Sequence, residues 1–205
     1  AEEYGECLLK AKFLTSSPLA FHLIETMLWE PGKGYFLLDL HLARLKDSAA
    51  YFDLPYDEET MVKLLKGKSK AFKPANRYRV RLLLDRNGQP AIDAAPLPSG
   101  EEMPVRRAAL SWRRTSSSDT FLYHKTSNRT LYDAEYKDYI SRGYLDVIFR
   151  NEKDELTEGA ISNLFIRKDG RLYTPPVRCG LLPGTFRTHL MDTSIPPVVE
   201  RVLFK

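Results

Sequence analysis

Between His41 and Phe52 the apolar residues Leu42, Leu45, Ala49 and Phe52 recur at helical spacing. That stripe buries one face of a helix and gathers His41, Arg44 and Ser48 on another. Ahead of it, Ala20 to Glu30 is dense in aromatic and aliphatic residues. Pro31-Gly32-Lys33-Gly34 reads as a turn, and Tyr35 to Leu38 completes a hairpin. A second helix is predicted from Asp57 to about Lys66, with acidic residues in the first turn, where the helix dipole favours them. Tyr78 to Leu84 is a strand whose alternation sets Arg79 and Arg81 on one face, and Asp85-Arg86-Asn87-Gly88 closes it with a strong hairpin signal.

The densest group of chain breakers, Pro96, Pro98, Gly100 and Pro104, marks the neighbourhood of a domain boundary. It divides a smaller N-terminal α+β domain, residues 1–105, from a larger C-terminal domain, residues 106–205. A strand is predicted near Arg107 to Trp112, then a polar loop from Ser116 to Asp119. Asn128 reads as the N-cap of a helix carrying Tyr132, Tyr136, Tyr139 and Ile140 on one face and ending at Gly143. Strands follow over Leu145 to Arg150, Glu155 to Glu158, Asn163 to Arg167 and Arg171 to Thr174. Pro175 and Pro176 end the last of them, and Gly180 to Gly184 leads into a helix beginning near Thr185. The class is α+β with segregated layers.

Composition narrows this picture. With 205 residues, 43% hydrophobic and 28% charged, the chain matches an ordinary soluble protein able to bury a sizeable core. No apolar run approaches the ~18 residues needed to span a bilayer, and the start of the chain shows no signal-peptide pattern. Cys7 and Cys179 form no disulfide framework and show no metal-ligand spacing, which suits a reducing compartment, so a cytoplasmic protein without a metal is expected. The net charge of +4 favours small anions such as phosphates and carboxylates. The lysines at 63, 66, 68, 70 and 73 come with no nucleic-acid motif and read as a solvated helix end, so neither nucleic acid nor membrane is an expected partner.

Hydrolase and nucleotide signatures are missing: there is no H-E-x-x-H, no G-x-S-x-G, no P-loop and no G-x-G-x-x-G. Three other segments carry candidate chemistry. Tyr123-His124-Lys125-Thr126-Ser127-Asn128-Arg129 sets a lysine just ahead of a helix. Thr157-Glu158-Gly159 sets a carboxylate at a strand end. Gly180-Leu181-Leu182-Pro183-Gly184-Thr185-Phe186-Arg187 is a glycine-flanked entry to a helix, whose free N–H groups and positive dipole end can cradle a phosphate. Each alone is an ordinary surface feature. Together they supply an amine for an aldehyde, an anion for a pyridine nitrogen and a dianion site, the three needs of a pyridoxal 5′-phosphate enzyme.

With His41-Leu-Ala-Arg44-Leu-Lys-Asp-Ser48-Ala49, Asn163-Leu164-Phe165 and Leu182-Pro183-Gly184, these segments closely resemble the class IV (fold type IV) pyridoxal phosphate enzymes, from about Phe21 to Phe204. That family holds branched-chain and D-amino-acid aminotransferases and 4-amino-4-deoxychorismate lyases. The resemblance implies a two-domain D-amino-acid aminotransferase-like fold with mixed and antiparallel sheets flanked by helices. It also implies that Lys125 is the Schiff-base lysine, that Glu158 keeps the pyridine nitrogen protonated and that Arg44 pairs with the phosphate. Thr185 and Phe186 correspond to the residues whose backbone N–H groups hold that phosphate.

Phe21-His22-Leu23-Ile24-Glu25-Thr26-Met27 and the Lys125 segment look most like the lyase branch, which forms 4-aminobenzoate and pyruvate in folate biosynthesis. Tyr4-Gly-Glu-Cys7-Leu-Leu-Lys10 resembles the junction of fusions behind an aminodeoxychorismate synthase component, so association with such a component is expected, as is a homodimer. Thr26, Arg79 and Arg81 are candidates to bind substrate carboxylates. Two departures bear on activity: Thr130 stands where the branched-chain transaminases carry tyrosine, and family members continue past the position of Lys205 into a further phosphate contact. An aminotransferase acting on a branched-chain or D-amino acid, and a non-catalytic relic of the fold, are the alternative readings.

Overall fold

The computed structural model describes residues 21–98 and 107–204. The expected boundary at 105/106, its markers Gly100 and Pro104, and the junction-like residues 4–10 lie outside the described residues.

The first half is a four-stranded antiparallel sheet in the order β2-β1-β3-β4, formed by Leu23–Glu30 (β1), Gly34–Tyr35 (β2), Tyr78–Leu84 (β3) and Pro90–Pro96 (β4). Helices α1 (Leu38–Tyr51) and α2 (Glu58–Ser69) belong to the same half. Strand β3 alternates as its sequence demands: Tyr78, Val80, Leu82 and Leu84 are buried, while Arg79 and Arg81 are exposed. Leu23 and Met27 of β1 join them, and Leu42, Leu45 and Ala49 of α1 and Met61 and Leu65 of α2 complete one core. Asp57 caps α2 by accepting from the Glu59 and Thr60 N–H groups, and Lys66 and Lys68 lie in its last turn, where the dipole favours cations.

The second half holds two three-stranded sheets. Ala108–Thr115 (β5) runs parallel to Asp146–Asn151 (β6), which pairs antiparallel with Leu156–Gly159 (β7). Helix α3 (Thr130–Ser141) makes the β5–β6 crossover and packs on β6, so that Tyr132 and Tyr139 meet Val147, Phe149 and Ala160. Ile166–Lys168 (β8), Arg171–Thr174 (β9) and Val199–Glu200 (β10) form the other sheet in the order β10-β9-β8. Helix α4 (Thr185–Thr193) follows a loop ending at Gly184.

Several elements differ from their sequence-based expectation. Strand β2 stops at Tyr35 because Leu37 takes a left-handed backbone (φ 55°), and the helix starts at Leu38. Arg129, not Asn128, occupies the N-cap of α3, and it provides no side-chain cap. Ile140 lies on the exposed side of α3, while Glu135 takes a buried position and accepts from Ser111 Oγ at 2.5 Å. Strand β8 begins at Ile166 rather than Asn163, since Asn163 folds back to bridge Glu158.

The halves are joined by short extended pairing. Leu23 bridges Thr126 in antiparallel sense, Ile24 N–H donates to Lys125 O at 2.8 Å, and Ser127 N–H donates to His22 O at 2.9 Å. Phe21 and Phe52 of the first half meet Phe121 of the second, with ring centroids 4.9 to 5.5 Å apart. This seam fixes the lysine segment against the first sheet.

Candidate active site

Register decides where Lys125 points. Antiparallel pairing with Leu23 opposite Thr126 sets Lys125 opposite Ile24, so its side chain shares the sheet face of Ile24 and Thr26. Thr26 is directly paired with Arg81, and Arg79 pairs with Leu28 one step further along the same face. The neighbours on either side of Lys125 point the other way. His124 meets Ser48 of α1 (Nδ1 to Oγ, 3.0 Å), and Thr126 is buried. Burial, aided by the charges of Arg44 and Arg129 and opposed by Glu25 and Glu158, lowers the Lys125 amine to about 8.

Glu158 lies one residue before the end of β7 in a closed environment, 7% exposed. Its Oε1 accepts from Leu182 N–H at 3.2 Å and from the Tyr132 hydroxyl at 3.4 Å, and its Oε2 accepts from Asn163 Nδ2 at 3.4 Å. Among the described residues none makes an ion pair with it. Burial therefore dominates, and the acid is pushed up to about 8 despite those donors and the charges of Lys125 and Arg129. A buried acid in this condition gains by meeting a cationic nitrogen.

Asn163 ties that acid to the α4 entry, because its Nδ2 also donates to Leu182 O at 3.1 Å. The packing there is tight enough that a Cβ on Gly184 would overlap Asn163 Oδ1. Gly184 is the N-cap of α4 and brings no capping side chain, so the first N–H groups of that helix, those of Thr185 and Phe186 included, have no intrahelical acceptor. The Phe186 ring is 53% exposed and leans toward Phe36 (centroids 6.3 Å apart), which leaves a backbone role for this residue intact.

Arg44 comes from the polar face of α1. Its Nε and Nη2 grip Glu25 side-on at 2.8 and 2.6 Å, and its Nη1 donates to Pro183 O at 3.1 Å. One edge of the guanidinium is thus occupied, leaving one hydrogen each on Nη1 and Nη2. Glu25 is 1% exposed; burial pulls its pKa up, but the hydrogen bonds from His41 and Arg44 outweigh that and keep it lowered.

Sequence reading names Lys125, Glu158, Arg44, Thr185 and Phe186; in the fold Arg44 reaches Pro183 O, Glu158 accepts from Leu182 N–H just ahead of α4, and the charges of Arg44 and Glu158 act on Lys125. That reading passes over Glu25, Asn163, Tyr132 and Arg129 as functional groups. Glu25 did leave a signal, a carboxylate in the core-facing phase of Leu23, Glu25 and Met27. Tyr132 was hidden within an apolar helix face. The part played by Asn163 depends on contact with Gly184 and Leu182, about twenty residues away, and has no local signature. Arg129, which donates from Nη2 to Ala160 O at 2.6 Å, is likewise visible only in the fold.

These residues fit pyridoxal 5′-phosphate. The chain offers an amine near 8, an acid that makes no ion pair among the described residues, and an uncapped helix start beside an arginine with hydrogens to spare. No metal-ligating group of His, Cys, Asp or Glu occurs among the described residues, and no helix there is long and apolar enough to cross a membrane.

Comparison with known proteins agrees with the geometry. Residues 22–203 match the family model described as amino-transferase class IV. A provisionally named aminodeoxychorismate lyase of Schizosaccharomyces pombe is 28% identical over 83% of this chain and 73% of its own length. A provisionally named branched-chain-amino-acid aminotransferase of Thermotoga maritima is 31% identical over 80% of this chain, and the match spans 61% of that relative. A crystal structure from Mesorhizobium loti, provisionally titled an amino-acid aminotransferase, superposes with a TM-score of 0.83 at 36% identity, covering 90% of this chain and 87% of that one.

Proposed function

The chain belongs to the class IV aminotransferases, a family dependent on pyridoxal 5′-phosphate, and on that premise we propose that it is a 4-amino-4-deoxychorismate lyase releasing 4-aminobenzoate and pyruvate. The observation that carries this reading is the directly opposed pair Thr26 and Arg81 on the sheet face that Lys125 shares. A hydroxyl and a guanidinium side by side suit a substrate that bears two carboxylates. Thr130, at a position where branched-chain transaminases carry tyrosine, supports it further.

The bound cofactor supplies a carbonyl for the substrate amine and a ring that accepts electrons. The protein's own groups do the rest. Arg44 and the α4 N–H groups hold the phosphate, and Glu158 ionises against the ring nitrogen and keeps a proton there. Lys125 Nζ, lowered to about 8, has a sizeable unprotonated share near neutrality. It takes the proton from the substrate ring carbon bearing nitrogen. As the carbon–oxygen bond to the enolpyruvyl group breaks, the ring becomes aromatic, and the departing group gains a proton from Lys125 to leave as pyruvate. Arg81 and Thr26 orient the carboxylates so that this carbon faces Lys125.

Aminotransfer is the second reading, favoured by the 36% identity to the Mesorhizobium loti protein. Both reactions use the same cofactor residues, so an assay separates them. Purified protein loaded with pyridoxal phosphate is given aminodeoxychorismate with no keto acid present. Equimolar 4-aminobenzoate and pyruvate are expected. Amino transfer from a branched-chain or D-amino acid to 2-oxoglutarate, with no turnover of aminodeoxychorismate, would sink the lyase.

A further inference from the structure

A buried polar chain links β1, through α1, to the first residue of α4. Glu25 Oε2 lies 2.6 Å from His41 Nδ1, and His41 Nε2 lies 3.3 Å from Thr185 Oγ1. All three residues are buried. Glu25 also holds Arg44 through Nε and Nη2. Neither Glu25 nor His41 has a part in the chemistry described above.

Donor and acceptor counting fixes what this chain can do. Ionised Glu25 only accepts, so His41 Nδ1 must carry hydrogen. His41 Nε2 then has two states. When bare, it accepts the Thr185 hydroxyl hydrogen and removes that hydrogen from use. When protonated, it donates to Thr185 Oγ1, and the hydroxyl hydrogen is free to turn elsewhere. A phosphate dianion at the head of α4 accepts hydrogens and offers none, so it is served by the second state alone. The charged groups next to His41 are Glu25 from β1, bonded to Nδ1, and Arg44 of its own helix, which the same Glu25 holds. His124, from the segment before Lys125, is engaged with Ser48 further along α1.

We propose that Glu25 and His41 are positioning residues that make Thr185 a proton-switched donor to the cofactor phosphate, so that phosphate binding at α4 draws a proton onto His41 Nε2. Glu25 serves both arms of the cradle: it sets the His41 tautomer, and it holds the Arg44 guanidinium with its spare hydrogens outward. Proton uptake is thereby linked to the phosphate group and not to the pyridine ring. The inference rests on the cofactor reading above and adds to it the means by which the phosphate is recognised.

Pyridoxine 5′-phosphate tests it, because this compound carries the phosphate but has no aldehyde to react with Lys125. Calorimetry at pH 8 in buffers of different ionisation enthalpy counts protons taken up on binding, with pyridoxine as the phosphate-free control. Wild-type protein is expected to take up more protons with the phosphate ester than His41→Gln does, by up to about one. Glu25→Gln is expected to weaken the ester by about tenfold while leaving pyridoxine unchanged, the loss of roughly one charge-assisted hydrogen bond. Nitrogen-15 histidine spectra of the wild-type protein need no variant: on binding, His41 Nε2 should pass from an acceptor shift to an N–H shift. Equal proton counts in wild type and His41→Gln, an unmoved Nε2 signal, or equal weakening of ester and pyridoxine in Glu25→Gln would each overturn the proposal. Those outcomes leave the cofactor reading standing if borohydride still fixes pyridoxal phosphate to Lys125. Failure of the wild-type protein to bind either phosphate compound overturns both.

Discussion

The two tasks proposed for Lys125 both depend on an amine that sheds its proton near pH 8. Burial does this, against the pull of two carboxyl groups. With pyridoxal phosphate added, the wild-type protein should turn yellow, and borohydride should leave a pyridoxyl group on the Lys125 peptide, read by mass spectrometry. In Lys125→Ala both colour and adduct should vanish. Arg81→Ala should keep the cofactor spectrum and raise KM for a dicarboxylate substrate on the order of tenfold to a hundredfold, the scale of one charge-assisted contact. Arg79→Ala should do less, since Arg79 stands two residues further from the Thr26 pair. A KM unmoved by Arg81→Ala removes that residue from substrate binding. Lys125, Glu158 and Arg44 stood out in the sequence as candidates because each lies in a short motif of the family resemblance. Glu25 and Asn163 did not, because their meaning arises from partners brought up by the fold.

Among the elements, α4 shows how a helix start is left without a side-chain cap. Gly184 leaves its first N–H groups open, and Asn163 Oδ1 fills the space where a Cβ would sit. Gly184→Ala should force Asn163 away and break its bonds to Glu158 and Leu182 O. A loss of about 1–3 kcal/mol is expected from such overpacking, a fall in Tm of several degrees by thermal melting. Cofactor affinity should drop as well. Pairing it with Asn163→Ala should recover part of the Tm but not the affinity, whereas no recovery would point to a backbone cause. Element types and order were readable from periodicity, since α1, α2, β3, β6 and β9 follow from apolar spacing and breakers. The ends were less so. The early stop of β2 at Leu37 and the late start of β8 reflect a backbone turn and the Glu158–Asn163 bridge, neither of which has a hydrophobic signature.

For the molecule as a whole, the site weakens the fold that carries it, and the weakness has a pH signature. Glu158 is raised from 4.5 to about 8, so between those values the folded state keeps a proton that the unfolded chain has lost, and stability falls as pH rises. Lys125 is lowered from 10.5 to about 8, so above 8 the unfolded chain holds the extra proton, and stability recovers toward 10.5. Both penalties are fully present near pH 8. Urea unfolding of the cofactor-free protein should therefore show the largest gain of a Lys125→Met, Glu158→Gln double variant over wild type near pH 8, with smaller gains toward pH 5 and pH 10. A gain that does not vary with pH would mean the two groups are not held away from their ordinary ranges.

The sequence by itself determined the α+β class, most of the succession of elements, the family and its cofactor, because periodicity, breakers and motif order are properties of the chain read locally. Only the tertiary structure decided that Lys125 shares a sheet face with Thr26 and Arg81, that Glu158 is buried with no ion pair among the described residues, and that Glu25, His41 and Thr185 form one polar chain. The physical reason is the same in each case. Side-chain direction is set by strand register, and pKa by burial and neighbouring charge. Both come from residues far apart in sequence that meet only when the two halves close on the seam at Leu23 and Thr126.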